Sequence, residues 1–334
     1  MLQVTKKAAT EAEAEAVLTA SHQVQKPFSV PVLFIDPADY PVKKVLGIPL
    51  YRPVKGPVKE KLAAVLSQCD APKSTDKNLT WERSFFLKTA AQIEKMLINT
   101  LNNHWDNDET YMASAMPNAS PHMSVVFHTN LKDAARTTAA YALRIDKDKI
   151  PDYPGFDAQY NFQGLWHEIA HSVAGDNEAG ADFTGAMACR YAFEDCTFLK
   201  VEADMRAANA IFLGHIPKLT EMYGWPCVDA LDSVIAMEKS PSWDDVQKAG
   251  EMSHLVPRRG QISAVMNVTK TLRETATEAF NIRNLAALNK VAEQLLQNGA
   301  FEKTENRAIA ERFALATRRL SIGTAAYTGP TPQI

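Results

Sequence analysis

The stretch that decides the fold reads Gln163-Gly-Leu-Trp-His-Glu-Ile-Ala-His-Ser-Val-Ala-Gly-Asp-Asn-Glu-Ala-Gly-Ala-Asp182. It contains the pattern H-E-x-x-H at His167, Glu168 and His171. Residues four apart lie on one face of a helix, so the two imidazoles can point at a single metal ion. Glu168 lies about 100° around the helix from His167, within reach of a water molecule at that metal. The pattern therefore predicts a metal-binding helix.

Apolar residues on the opposite side support the helical interpretation. They recur at steps of four, three and four, and they are Phe162, Trp166, Ile169 and Val173. A buried stripe behind and a polar stripe in front suit a site at the floor of a cleft. Asp157 is the predicted cap at the start of this helix, and Gly175 is the predicted end.

A catalytic zinc site has three protein ligands and one open position, so the two histidines need a third partner. Glu178 follows after six residues, and Asp182 lies four residues beyond it. If residues 175–177 turn the chain, a second helix from Asn177 to about Phe193 turns both carboxylates toward the histidines. We expect Glu178 to be the third ligand.

The remaining carboxylates have other predicted roles. Asp182 is expected to bond the far nitrogen of a ligating histidine and to fix its tautomer. Glu202 and Asp204 are alternative third ligands if the turn is too short to close the site. The small residues of the second helix would let the two helices approach closely, and they are Ala179, Gly180, Ala181 and Gly185.

These residues resemble the zincin metallopeptidases, and among them the gluzincins, whose third ligand is a glutamate in an N-E-x-x-x-D segment. Here that segment is Asn177-Glu178-Ala-Gly-Ala-Asp182. The resemblance implies zinc on His167, His171 and Glu178, with Glu168 as general base in peptide hydrolysis. The link between the two helices is much longer in the well-known secreted gluzincins. The run Ile150-Pro-Asp-Tyr-Pro-Gly-Phe156 is also similar to the lead-in of zincin-like domains in some anti-restriction proteins.

Composition narrows the class of partner. The chain has 334 residues, of which 46% are hydrophobic, and a formal net charge of −3, so nothing global favours nucleic acid. Its four cysteines show no C-x-x-C spacing, which is typical of reduced thiols in a cytosol. We find no membrane-spanning run and no secretory signal. We expect a cytoplasmic protein with a peptide or protein substrate and no membrane partner. The oligomeric state is not indicated.

The predicted fold class is α+β, a mainly helical zincin-like core with a small mixed sheet and a helical C-terminal extension. The periodicity of Trp81 to Trp105 predicts a long core helix. His122 to His128 is predicted as an edge strand lining the cleft, with Ala139 to Ile145 as its neighbour. The predicted divisions are an N-terminal arm (1–24), the core (25–240), a connector (241–261), the helical extension (262–323) and a tail (324–334).

Three further histidine and tyrosine side chains are candidates for the site. His128 on the predicted strand is a minor alternative ligand. His215 and Tyr223 are candidate donors to the tetrahedral intermediate, although a plain structural role is the more frequent one. The favoured function is zinc-dependent peptide hydrolysis. The alternatives are a non-catalytic binding or scaffold protein on a zincin core, and a mobile-element protein that acts near DNA.

Overall fold

A computed structural model describes residue 28 and eleven longer stretches of the chain. These stretches are 32–35, 42–45, 48–51, 113–120, 123–128, 134–143, 145–151, 155–193, 197–222, 224–257 and 261–328, the last four holding most of the molecule. The predicted arm (1–24) and the predicted helix from Trp81 to Trp105 lie outside the described residues.

Helices form most of the described chain. In order they are α1 (Ala134–Leu143), α2 (Phe156–Ala174), α3 (Glu178–Ala192), α4 (Thr197–Leu213), α5 (Pro217–Met222), α6 (Trp225–Ile235), α7 (Trp243–Met252), α8 (Ile262–Thr275), α9 (Thr277–Asn281), α10 (Leu285–Gln297), α11 (Thr304–Ile322) and α12 (Ala325–Thr328). Single 3-10 turns occur at Lys147–Lys149 and Ser253–Leu255. Among the described helices, none combines the length and the apolar composition needed to cross a membrane.

Helix α2 carries the H-E-x-x-H pattern, and its apolar stripe faces the core as predicted. Phe162, Trp166 and Ile169 are at most 1% exposed. The helix ends at Gly175, whose φ of 65° belongs to the left-handed region that favours glycine. The predicted cap is wrong, because Gly155 occupies the N-cap position and Asp157 lies inside the first turn. There its carboxylate faces the positive end of the helix dipole.

Helix α3 follows after a three-residue turn. Asn177 is its N-cap, with Oδ1 accepting a hydrogen bond from the Gly180 amide at 3.2 Å. The helix packs along α2, and Gly185 permits the close approach. A methyl group at Gly185 would lie 2.9 Å from the backbone carbonyl oxygen of Gln163 and 3.1 Å from the backbone nitrogen of His167. The backbones of α2 and α3 therefore approach closely beside the histidines.

Apart from Phe28, the described residues before α1 form short strands. They are β1 (Val32–Ile35), β2 (Val42–Val45), β3 (Ile48–Tyr51), β4 (Ala113–Ser120) and β5 (Met123–His128). Strand β5 lies between β1, to which it is parallel, and β4, to which it is antiparallel. Because both edges of β5 are paired, the prediction that this segment is an edge strand available to a substrate is wrong.

The predicted α+β class is also wrong, because helices rather than a mixed sheet form the core of the protein. From Ala134 onward, the described residues form helices and connections but no strand. All but three of the described buried apolar side chains lie in this part. The segment Ala139–Ile145, predicted as a strand, belongs largely to α1, whose alanine-rich sequence favours a helix.

Two sets of contacts join distant parts of the chain to this core. Trp243 of α7 packs edge-on against Trp166 of α2, with ring centroids 5.2 Å apart, and lies 5.5 Å from the ring of Tyr191 on α3. Arg312 of α11 donates hydrogen bonds to buried Asp204 on α4 at 2.5 Å and to Asp232 on α6 at 2.7 Å. One apolar cluster extends through all of these helices. The predicted division of the chain into core, connector and extension stays a prediction.

Candidate metal centre

Three potential metal ligands from α2 and α3 converge on one point. The Nε2 atoms of His167 and His171 are 3.2 Å apart. Glu178 Oε2 lies 3.3 Å from the first nitrogen and 3.9 Å from the second. The structure thus brings together the two histidines and the glutamate that the sequence predicts as ligands, all within 4.8 Å of one another.

This donor set fits a zinc ion in type and spacing. Two imidazole nitrogens and one carboxylate oxygen are ligands that zinc commonly takes in catalytic sites. Bonds of about 2.0–2.1 Å in a tetrahedron place neighbouring donors roughly 3.3 Å apart. Two of the three separations match this value, and the third is reached by a small movement of the His171 or Glu178 side chain.

Asp182 lies directly behind His167 and is completely buried. Its Oδ1 atom is 2.8 Å from His167 Nδ1, so the carboxylate and the imidazole are in close contact. With Nδ1 facing Asp182, Nε2 of His167 is turned toward the other ligands. Asp182 therefore occupies the position that the sequence predicts for it.

Charges around His167 strongly favour its protonated form. Burial alone would lower its pKa, but the carboxylates of Asp182 and Glu178 outweigh burial and raise the pKa to about 10. Burial likewise opposes the charged form of Glu178, yet its contact with His167 holds the pKa of that carboxyl below its ordinary value. The negative charge of the surrounding carboxylates therefore favours a cation between the two imidazoles and Glu178.

The turn between the helices fixes the second histidine. His171 Nδ1 lies 2.6 Å from the carbonyl oxygen of Gly175, which can accept the imidazole proton. The carbonyl therefore orients the ring of His171 in the same way that Asp182 orients the ring of His167. In both rings Nε2 is the nitrogen that faces Glu178.

A cavity of about 220 Å³ opens beside this cluster. His167 and Glu168 both line it, so the predicted general base faces the same space as one predicted ligand. The remaining lining residues mix polar and apolar side chains and are Ala139, Tyr160, Gln163, Gly164, Glu202, Met205, Arg206 and Asn209. The cavity gives a small polar molecule access to the cluster.

The alternative third ligands lie elsewhere. Glu202 lines the cavity, but its Oε1 accepts a hydrogen bond from Arg206 at 2.9 Å. Burial raises the pKa of Glu202. Asp204 is buried on another side of α4, where Arg312 and Tyr327 bond its two oxygens. Neither belongs to the cluster of donor atoms formed by the two histidines and Glu178.

The candidate donors to a tetrahedral intermediate are not brought to the site by the described structure. His215 is exposed and lines a different cavity, together with Met266 and Lys270. Tyr223 lies outside the described residues, as does the side chain of His128. The role predicted for His215 has no geometric support, and the roles of Tyr223 and His128 stay predictions.

Two neighbours of Asp182, Arg206 and Cys227, were not predicted from the sequence. Arg206 donates to Asp182 Oδ1 at 2.9 Å, and its charge helps to hold the pKa of that carboxyl below the ordinary value against the effect of burial. Cys227 of α6 also bonds Asp182, and burial raises the pKa of its thiol. The spacing of Glu202 and Arg206, four residues apart, was an available signal for a paired helix face. No sequence signal links Cys227 to the site.

Comparison with known proteins does not assign this chain to a class. No protein-family model, no curated protein and no solved structure matches the chain. The resemblance of residues His167 to Asp182 to gluzincins consequently stays a prediction from the sequence.

Proposed function

We propose that this chain is a zinc-dependent metallopeptidase that hydrolyses a bond in a peptide or protein substrate. The observation that carries the proposal is the convergence of His167, His171 and Glu178, with donor separations of 3.2 to 3.9 Å, beside an accessible cavity. The burial of Asp182 behind His167 supports it, because catalytic zinc sites commonly hold a ligating imidazole by such a carboxylate.

The chain's own residues divide the work between binding and proton transfer. His167, His171 and Glu178 would hold the zinc, which supplies Lewis-acid chemistry to a carbonyl group and to water when it is bound. Glu168 takes a proton from water and transfers it to the leaving amine. Asp182 and the Gly175 carbonyl hold the two imidazoles in position. The cavity beside Glu168 admits the substrate group next to the scissile bond.

The proposal is tested by separating zinc binding from hydrolysis. Wild type, Glu168→Gln and His171→Ala are purified without added zinc, analysed for metal content, and incubated with a peptide library whose products are identified by mass spectrometry. We expect about one zinc per chain in wild type and in Glu168→Gln. Hydrolysis should fall by about 10² to 10⁴ in Glu168→Gln, because the general base is lost. His171→Ala should lose both zinc and hydrolysis.

Two outcomes would contradict the proposal in different ways. Undiminished hydrolysis by Glu168→Gln would remove the assigned mechanism. Wild type that holds zinc but cleaves no peptide would favour the scaffold alternative, in which the metal is structural. The cytoplasmic location expected from the number and spacing of the cysteines stays a prediction, and so does the absence of a nucleic-acid partner.

A further inference from the structure

The proposed third ligand, Glu178, lies at the very start of a helix, where a side chain is hard to hold in place. Glu178 is the first residue of α3, directly after the turn that leaves α2. The first turn of a helix lacks intrahelical partners for its N–H groups, and helix ends fray readily. A ligand at this position needs an additional restraint if it is to stay near the histidines.

The residue before Glu178 supplies such a restraint. Asn177 is 1% exposed, and its Nδ2 donates to the carbonyl oxygens of Ser253 at 3.0 Å and of Val256 at 2.9 Å. Its Oδ1 accepts from the Gly180 amide. Backbone carbonyls only accept and backbone N–H groups only donate, so a flipped amide would lose all three bonds. The orientation of Asn177 is therefore determined by its surroundings.

The carbonyls that Asn177 binds belong to a segment 76 residues further along the chain. The 3-10 turn Ser253–Leu255 packs so closely on α3 that a methyl group at Gly180 would overlap the Ser253 carbonyl group. Ser253 is itself fully buried, and its hydroxyl donates to the Gly250 carbonyl at 2.7 Å. The turn is thus a fixed surface against which the start of α3 rests.

Helix α7, which leads into this turn, also contacts α2. Trp243 at its start packs on Trp166, the residue before His167. Gly250 near its end lies against Phe28, whose ring is 6.0 Å from that of Trp166. The segment from Trp243 to Val256 therefore touches the helix that carries the histidines and, through Asn177, the helix that carries the glutamate.

From these contacts we propose that Asn177 is a positioning residue for the metal centre. It acts by fastening the start of α3 to the turn at Ser253–Val256, so that Glu178 is held at the two histidines. This inference rests on the proposed zinc site. Asn177 touches neither the metal position nor the substrate cavity, and its contribution is transmitted through the backbone of Glu178.

Two substitutions separate this role from helix capping. Asn177→Asp and Asn177→Ser each retain an oxygen that can accept from the Gly180 amide, but they lose the two bonds to Ser253 and Val256. Asn284 offers a matched control, because its side chain caps α10 by accepting from the Ala287 amide, far from the metal centre in the chain. Asn284→Ala removes a helix cap but leaves the hydrogen bonds of Asn177 to Ser253 and Val256 unchanged.

The measurements are zinc affinity, by competition with a chromophoric chelator, and the visible spectrum of the Co²⁺-loaded protein. Circular dichroism checks folding, and only folded protein is titrated. We expect zinc binding to weaken about 10- to 100-fold in both Asn177 variants, with an altered Co²⁺ spectrum, as for other residues that orient ligands. Asn284→Ala should match wild type in both readouts.

The outcomes distinguish this inference from the function on which it rests. Wild type that binds neither metal would refute the zinc site itself. Wild type that binds zinc, with unchanged affinity and an unchanged Co²⁺ spectrum in Asn177→Asp and Asn177→Ser, would overturn the role of Asn177 alone. Loss of folding in both Asn177 variants would also overturn it, because the residue would then stabilise the fold rather than the ligand.

Discussion

Asp182 shares one carboxylate oxygen between an imidazole and a guanidinium, and this arrangement makes a residue-scale prediction. Asp182→Asn removes the charge that orients His167 and pairs with Arg206. We expect zinc affinity to fall about 10- to 100-fold and stability to fall by about 3 kcal/mol, because Arg206 loses one partner. Chelator competition and urea unfolding measure the two effects.

Glu202→Gln is the control for this substitution. Glu202 bonds the same guanidinium at the same distance of 2.9 Å but is not among the donor atoms of the metal cluster. Its replacement should change zinc affinity far less than Asp182→Asn. Equal losses of zinc affinity in the two variants would show that Arg206, rather than the contact with His167, carries the effect.

Helices α2 and α3 together carry the ligands, so the distance between the two helices should determine how well the ligands bind zinc. Gly185→Ala inserts a methyl group between the helices, 2.9 Å from the Gln163 carbonyl oxygen. We expect α3 to move outward, with a loss of about 1–3 kcal/mol in stability and weaker zinc binding. Thermal unfolding and zinc titration test this expectation.

Gly214→Ala is the matched overpacking control. A methyl group there would overlap the hydroxyl of Thr269, which belongs neither to the ligand cluster nor to the lining of the cavity beside it. It should lower stability but leave zinc affinity unchanged. If Gly185→Ala binds zinc as wild type does, the close approach of α2 and α3 is not what sets the ligand geometry.

The sequence predicted these two helices well because every signal for them is local. The spacing of His167 and His171, the stop at Gly175 and the start of α3 at Asn177 all lie within one short stretch. The neighbours of the site that were not predicted lie in distant segments of the chain. Arg206 and the Ser253 turn reach the site only through tertiary packing, which no local pattern encodes. Strand propensity in residues 139–145 was likewise overridden by the alanine content of α1.

At the scale of the whole molecule, Arg312 ties α11 to α4 and α6. Its two carboxylate partners include Asp204, which is completely buried and also accepts from Tyr327 at 2.7 Å. Arg312→Met leaves Asp204 without its closest counter-charge. We expect a loss of about 3–5 kcal/mol in the free energy of unfolding, measured by urea denaturation.

Arg307→Met on the same helix is the comparison. Arg307 pairs with Glu311 four residues away, and both side chains are more than half exposed. Exposed pairs of this kind contribute little, so stability should change by no more than about 0.5 kcal/mol. A comparable loss in both variants would mean that the helix itself, rather than the buried ion pair, is being weakened.

The ligand set also has a consequence for the order of events during synthesis. His167, His171, Glu178 and Asp182 all lie in one helical hairpin, so they meet by closing a very short loop. Contacts between near neighbours in sequence generally form before distant ones. We expect the ligands to come together as soon as α3 has been synthesised. The affinity for the ion should rise only after the segment containing Ser253 has been synthesised and has packed on α3. In refolding with Co²⁺, ligand-field absorbance should therefore appear before the native tryptophan fluorescence.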